Sequence, residues 1–207
     1  MEGFMRGVYS VSEWVMRFAF VNILWITFSI MGLFVLGFFP ATTAMFTVIR
    51  KWVLKQPDMP MFKTFTSAYK KEFLKSNVVG ITIVLFGLLM YFNIRIIDAM
   101  TNPLLKFLYI PVLLVSLLFL LTLMFVFPVY THFDINVVKV FKNSFLLMAV
   151  SPIITFSMAV LTTFFLFILL KLPGLIPFFS GSSVTFILMW FSNHVISKVH
   201  NLNNRKI

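Results

Sequence analysis

The chain has 207 residues, of which 60% are hydrophobic and only 11% charged, with a mean hydropathy of +1.01, more apolar surface than so few charges could keep in water. Its 28 Phe exclude a disordered chain, and the absence of cysteine excludes disulfides, thiolate catalysis and cysteine-based metal sites. The 17 Lys and Arg come with no nucleic-acid-binding signature, so their expected partner is the anionic lipid bilayer and not nucleic acid.

At the N-terminus, Phe4, Val8, Val11, Val15 and Phe18 share one helical face while Arg6, Ser10, Glu13 and Arg17 share the opposite one. The segment either lies on the membrane or extends the first crossing. Glu2 and Glu13 make it a poor secretory signal, so the first apolar stretch is expected to stay in the protein. Apolar stretches without charge run over residues 18–39, 77–94, 107–130, 144–170 and 178–196. Each is near the roughly 20 residues that a helix needs to cross hydrocarbon. No strand-like alternation supports a barrel, which leaves helices as the way to satisfy the backbone in lipid. The fold class is therefore all-α, a single polytopic membrane domain over residues 1–207.

Residues 40–54 are helical in pattern but short. Pro40 suits a first helical turn after Gly37, and Ala41, Met45, Val48 and Trp52 form one stripe, so this is either a short tilted crossing or a surface helix. The positive-inside rule prefers the crossing. Six crossings with both termini cytoplasmic place 14 Lys and Arg inside against 3 outside, whereas five crossings divide them 12 to 5.

Between these stretches, Phe62, Phe65, Tyr69 and Phe73 form an aromatic stripe, with Lys63, Lys70, Lys71 and Lys75 on the remaining faces. That pattern predicts a helix over residues 62–75 lying in the cytoplasmic interface, or docking a soluble partner. A weaker version joins Phe133, Val137, Val140 and Phe141, with Lys139 and Lys142 facing away; both segments precede a crossing. Phe39-Pro40 and Phe127-Pro128 lie upstream of each, as a degenerate internal duplication would place them.

Few reaction classes survive inspection. Asp98, Arg95 and Lys106 fall in a loop and Asp134 past a helix end, so no ionisable group lies deep enough to relay protons. A His-Glu-x-x-His motif and a phosphate-binding Gly-rich loop are both missing, so no cofactor or metal is expected and any energy input needs a partner. Ser180-Gly181-Ser182 and His194 would lie about 18 Å apart along one helix, too far to share a proton. His132, His194 and His200 are expected at helix ends near the cytoplasmic interface. Asn22, Asn93, Ser116, Ser151, Thr155, Ser157, Thr162 and Thr163 are expected to bond between helices. For Asn22 and Trp25 a sharper reading is sugar contact, since an amide bonds hydroxyls and an indole stacks on a pyranose face.

Asn22-Ile23-Leu24-Trp25, then Gly37-Phe38-Phe39-Pro40-Ala41-Thr42, then Arg50-Lys51-Trp52, in that order, resemble the YesL-like family of bacterial membrane proteins, grouped as domain of unknown function 624. The aromatic stripe at residues 62–73 and Phe127-Pro128-Val129-Tyr130 extend the resemblance over essentially the whole chain. The family carries no assigned catalytic residues. Its genes often accompany those for uptake and breakdown of plant polysaccharides in Firmicutes, which implies a non-enzymatic role in the bacterial cell membrane, accessory to a carbohydrate transporter complex. The alternative is a self-contained facilitator for a small neutral solute.

Overall fold

The computed structural model describes residues 2–99 and 105–204, and all of their regular structure is helical. Eight α-helices follow in order: α1 (Glu2–Met31), α2 (Phe38–Val53), α3 (Met61–Lys71), α4 (Phe73–Asp98), α5 (Tyr109–His132), α6 (Val137–Val150), α7 (Pro152–Lys171) and α8 (Ile176–Asn204). Short 3-10 turns precede α5 and α8. Five helical segments are long and apolar enough to cross a membrane, namely Gly7–Met31, Phe73–Asp98, Lys106–His132, Pro152–Lys171 and Pro173–Val199. The N-terminal amphipathic segment is thus the start of the first crossing helix.

The sixth expected crossing has a different character. α2 has 16 residues, about 24 Å of helix, too short to span hydrocarbon of about 30 Å upright. Most of it is buried. The expected stripe of Ala41, Met45, Val48 and Trp52 is enclosed, and so are Thr43, Phe46 and Ile49 on the other sides. Chain reversal before α2 follows from two glycines and two strained residues. A Cβ on Gly32 would fall 2.3 Å from the Gly37 Cα, so only glycine allows the turn to close. Leu33 and Phe34 take φ of 59° and 60°, and this left-handed turn ends α1 at Met31, short of the expected residue 39.

α2 then runs back along α1. Trp14 meets Trp52 edge-on at 5.6 Å, and the Trp25 indole N–H donates to the Thr42 hydroxyl at 3.0 Å. Arg17 donates to the Pro57 carbonyl just past the end of α2, at 2.6 Å. α4 and α5 form an antiparallel pair with Phe86 against Phe119 at 4.7 Å, and α2 crosses it obliquely. Phe39 lies over Gly80, where a Cβ would stand 2.2 Å from its ring. Further along α2, Phe46 stacks on Phe127 at 5.5 Å and Arg50 donates to the Thr131 carbonyl at 3.0 Å.

Two apolar clusters result, one centred on α2 with α1, α3 and α8, the other on α5 with α4, α6, α7 and α8; Leu188 packs against both. Val195 joins Val126 and Val129 in the second, so the C-terminal half of α8 lies beside the end of α5. The beginning of α1, the ends of α2 and α5 and the C-terminal half of α8 therefore lie together, while the turn between α1 and α2 packs against the first part of α4, where the Asn77 amide donates to the Leu36 carbonyl at 3.0 Å. The end at which α2 and α5 finish holds Arg17, Arg50, Lys51, Lys71 and Lys75.

The amphipathic segments depart from expectation. The helix expected over residues 62–75 breaks at Glu72, whose N–H closes on the Ala68 carbonyl, so Phe73 and Lys75 belong to α4. In the second segment, residues 133–136 are extended, and α6 continues to Val150 into the stretch expected to begin a crossing at Ser144. Pro152, which cannot continue the ladder of α6, opens α7 instead. Phe39-Pro40 begins a helix whereas Phe127-Pro128 lies near the end of one, so the two pairs do not occupy matching places.

Candidate functional site

A recess of about 620 Å³ opens between α2, α3 and the end of α5. α2 contributes Thr43, Thr47, Arg50 and Lys51 at its inner wall. The outer wall is α3, through Lys63, Thr64, Ser67 and Lys71, while Tyr130 to Asp134 close the end. This arrangement follows from amphipathic folding of α3. Phe65 is fully buried, with its ring 5.3 Å from Phe28, and Tyr69 packs on Phe28 and Phe73 at 5.0 and 5.6 Å. The Tyr69 hydroxyl donates to the Phe28 carbonyl at 3.3 Å, and burial raises its pKa.

The expected lipid-facing or partner-facing stripe therefore faces the protein's own core, apart from Phe62, which is 57% exposed. The reason is α1, which presents Phe28 beside α3 and covers the aromatic face. Lysines occupy the faces left over. Lys63, Lys71 and Lys75 line the recess, and Lys70 is exposed away from it.

Five cationic side chains line the recess against two carboxylates, Glu72 and Asp134. Both acids are engaged. Glu72 accepts from the Tyr130 hydroxyl at 2.6 Å and lies 3.7 Å from Lys71, and Asp134 accepts from Lys75 at 2.9 Å. The Lys75 hydrogen bond, reinforced by the charges of Lys75 and Lys71, holds the Asp134 carboxyl below its ordinary pKa. Among the described residues, no carboxylate is within ion-pair distance of Arg50, Lys51 or Lys63. Thr43 Oγ1, Arg50 Nε and His132 Nδ1 are buried atoms with no hydrogen-bond partner. Sequence reasoning missed this site, because Arg50 and His132 are 82 residues apart and meet only through the oblique course of α2. No cluster of three metal-binding side chains occurs among the described residues.

Asn22 and Trp25 lie elsewhere. Asn22 is fully buried, and its amide inserts into the backbone ladder of α8, donating to the Pro177 carbonyl at 2.7 Å and accepting from the N–H groups of Gly181 and Ser182 at 2.9 and 3.0 Å. Trp25 is half-buried, edge-on to Phe38 at 5.6 Å. Other expected interhelical groups bond within their own helix, where a short side chain reaches the carbonyl four residues back. Asn93 reaches Leu89, Ser116 reaches Val112 and Ser157 reaches Ile153, while Thr155 spans the break between α6 and α7 by reaching Met148 and Ser151. Ser182 and His194 sit on one continuous helix, and the side chain of His200 lies outside the described residues.

Long apolar helices around a short, largely buried one, with a cation-lined recess at one end, define a polytopic α-helical membrane protein. Comparison with known proteins places it more narrowly: the family model described as "Protein of unknown function, DUF624" matches residues 18–94. Three proteins of Bacillus subtilis (strain 168) are each 37% identical to it. Similarity to the uncharacterized protein YteU covers 96% of this chain and 89% of that protein, and similarity to the uncharacterized protein YesL covers 88% and 86%. The chain belongs to the DUF624 family, as the motifs around Asn22, Gly37 and Arg50 imply. No solved structure matches it.

Proposed function

We propose that this protein is a non-enzymatic component of the bacterial cell membrane that acts with a carbohydrate uptake system, with both termini and the basic end in the cytoplasm. The observation that favours an accessory role is how the buried polar groups are used. Asn22 is saturated by α8, Trp25 bonds Thr42, and the Asn77 amide donates to the Leu36 and Phe73 carbonyls at 3.0 and 2.8 Å. These side chains hold helices together instead of lining a solute path. The orientation is supported by the cations gathered at one end, beside anionic lipid, and the oligosaccharide context comes from the family resemblance. A phosphate-binding loop for ATP is not in the sequence, so energy for uptake comes from a partner.

Uptake of labelled oligosaccharides by proteoliposomes tests this. The protein alone should give no flux above empty vesicles, and a carbohydrate transporter should co-purify with it from native membrane. Saturable flux through the protein alone would establish the facilitator instead.

A further inference from the structure

We infer that the recess between α2, α3 and the end of α5 is a binding site for a phosphate monoester carried on a polyol. The reading does not depend on the carbohydrate-uptake role. Its volume of about 620 Å³ lies within the roughly 300–1,000 Å³ of small-molecule sites. Arg50, Lys51 and Lys63 reach it from two helices without a carboxylate to neutralise them, so a dianion balances what the protein leaves uncompensated. Two of the unpartnered buried atoms sharpen the match. Arg50 uses one terminal nitrogen on the Thr131 carbonyl, which leaves Nε and the second terminal nitrogen as a donor pair suited to a phosphate. Thr43, 1% exposed, holds a hydroxyl with no protein partner at the inner wall. A buried polar atom is costly when unpaired, and a ligand oxygen in the recess would satisfy it. Thr47, Thr64 and Ser67 add hydroxyls along the walls, which suit the hydroxyls of a sugar or glycerol carrier.

The same chemistry is offered by a soluble sugar phosphate and by the headgroup of phosphatidic acid. Full-length protein in phosphatidylcholine nanodiscs should be titrated with glucose 6-phosphate and, as a neutral twin, with glucose, following heat of binding and thermal unfolding. A second arm compares unfolding in nanodiscs with and without phosphatidic acid. Stabilisation by glucose 6-phosphate but not glucose identifies a soluble ligand; stabilisation by phosphatidic acid alone identifies the lipid. In either arm, Lys51→Gln with Lys63→Gln should weaken the effect about tenfold or more, since hydrogen bonds to charged groups are individually strong. Among the described residues, the side chains of these two lysines make no ion pair. Lys139→Gln with Lys142→Gln removes the same charge from the exposed face of α6 and should leave binding unchanged. Arg50→Gln, which keeps a donor for Thr131, should abolish the response. No stabilisation in either arm, or equal losses from the Lys51/Lys63 and Lys139/Lys142 pairs, overturns the assignment.

Discussion

Asn22 offers the sharpest test of how these helices are joined. Its side chain makes three bonds to α8 in the interior, of 2.7, 2.9 and 3.0 Å. Asn22→Leu keeps the branching and number of heavy atoms and removes all three, leaving the Pro177 carbonyl and two N–H groups without their partner. Polar contacts between membrane helices contribute about 0.6 kcal/mol on average and about 1.7 at most, so three amount to roughly 2–5 kcal/mol. Part of this returns when α8 tightens and Gly181 bonds Pro177 four residues back, as in an uninterrupted helix. The expected loss is about 2–3 kcal/mol, a shift of roughly 30- to 150-fold in the folding equilibrium. Equilibrium unfolding in mixed micelles, followed by the fluorescence of the four Trp, measures it. Ser182→Ala is the control. It removes a buried hydroxyl that has no partner and leaves the backbone N–H in place, so it should stay within about 0.5 kcal/mol of wild type. A result for Asn22→Leu as small as that of Ser182→Ala would refute the view that this amide ties α1 to α8.

Gly80→Ala places a methyl group into the Phe39 ring and should destabilise by about 1–3 kcal/mol, with Phe39→Leu recovering part of the loss in a double-mutant cycle. Phe65→Ala empties a fully buried site and should cost about 3–5 kcal/mol, whereas Phe62→Ala, on the exposed side of the same helix, should be nearly neutral by the same unfolding assay. Tyr130→Phe removes the donor to Glu72 and should lower stability by about 1.5–3 kcal/mol in wild type but by much less in a Glu72→Ala background, which lacks the acceptor.

The fold was legible wherever lipid is the solvent, because a long apolar run without charge has few alternatives. Expected stretches at 77–94 and 178–196 fall inside α4 and α8. Less legible were the places where protein replaces lipid as the neighbour. The stripe on α2 was visible, but not that its opposite face, with Thr43 and Phe46, is equally enclosed, because that depends on α5 and α8 packing over it. The aromatic stripe of α3 reads the same whether it meets lipid, a partner or Phe28, so periodicity identified the face and not its occupant. Helix ends at Met31, Lys71 and Val150 depend on local backbone geometry: the left-handed Leu33 and Phe34, the break at Glu72, and Pro152 after Ser151. The recess lay beyond sequence reading, since its walls come from segments near residues 43–51, 60–75 and 130–134.

The central claim is that α2 returns the chain, so the start of α1 and the α2–α3 region lie on one side of the membrane, the cytoplasmic one in our proposal. With no native cysteine, single cysteines report side directly. Ser10 and Ser67 are both exposed, and Thr101, outside the described residues, follows α4 in the sequence. In intact cells an impermeant thiol reagent should label Thr101→Cys and spare both Ser10→Cys and Ser67→Cys, which should react once the cells are permeabilised. Labelling of Ser10→Cys from outside, with Ser67→Cys still shielded, would contradict the return pass and leave a chain of five crossings.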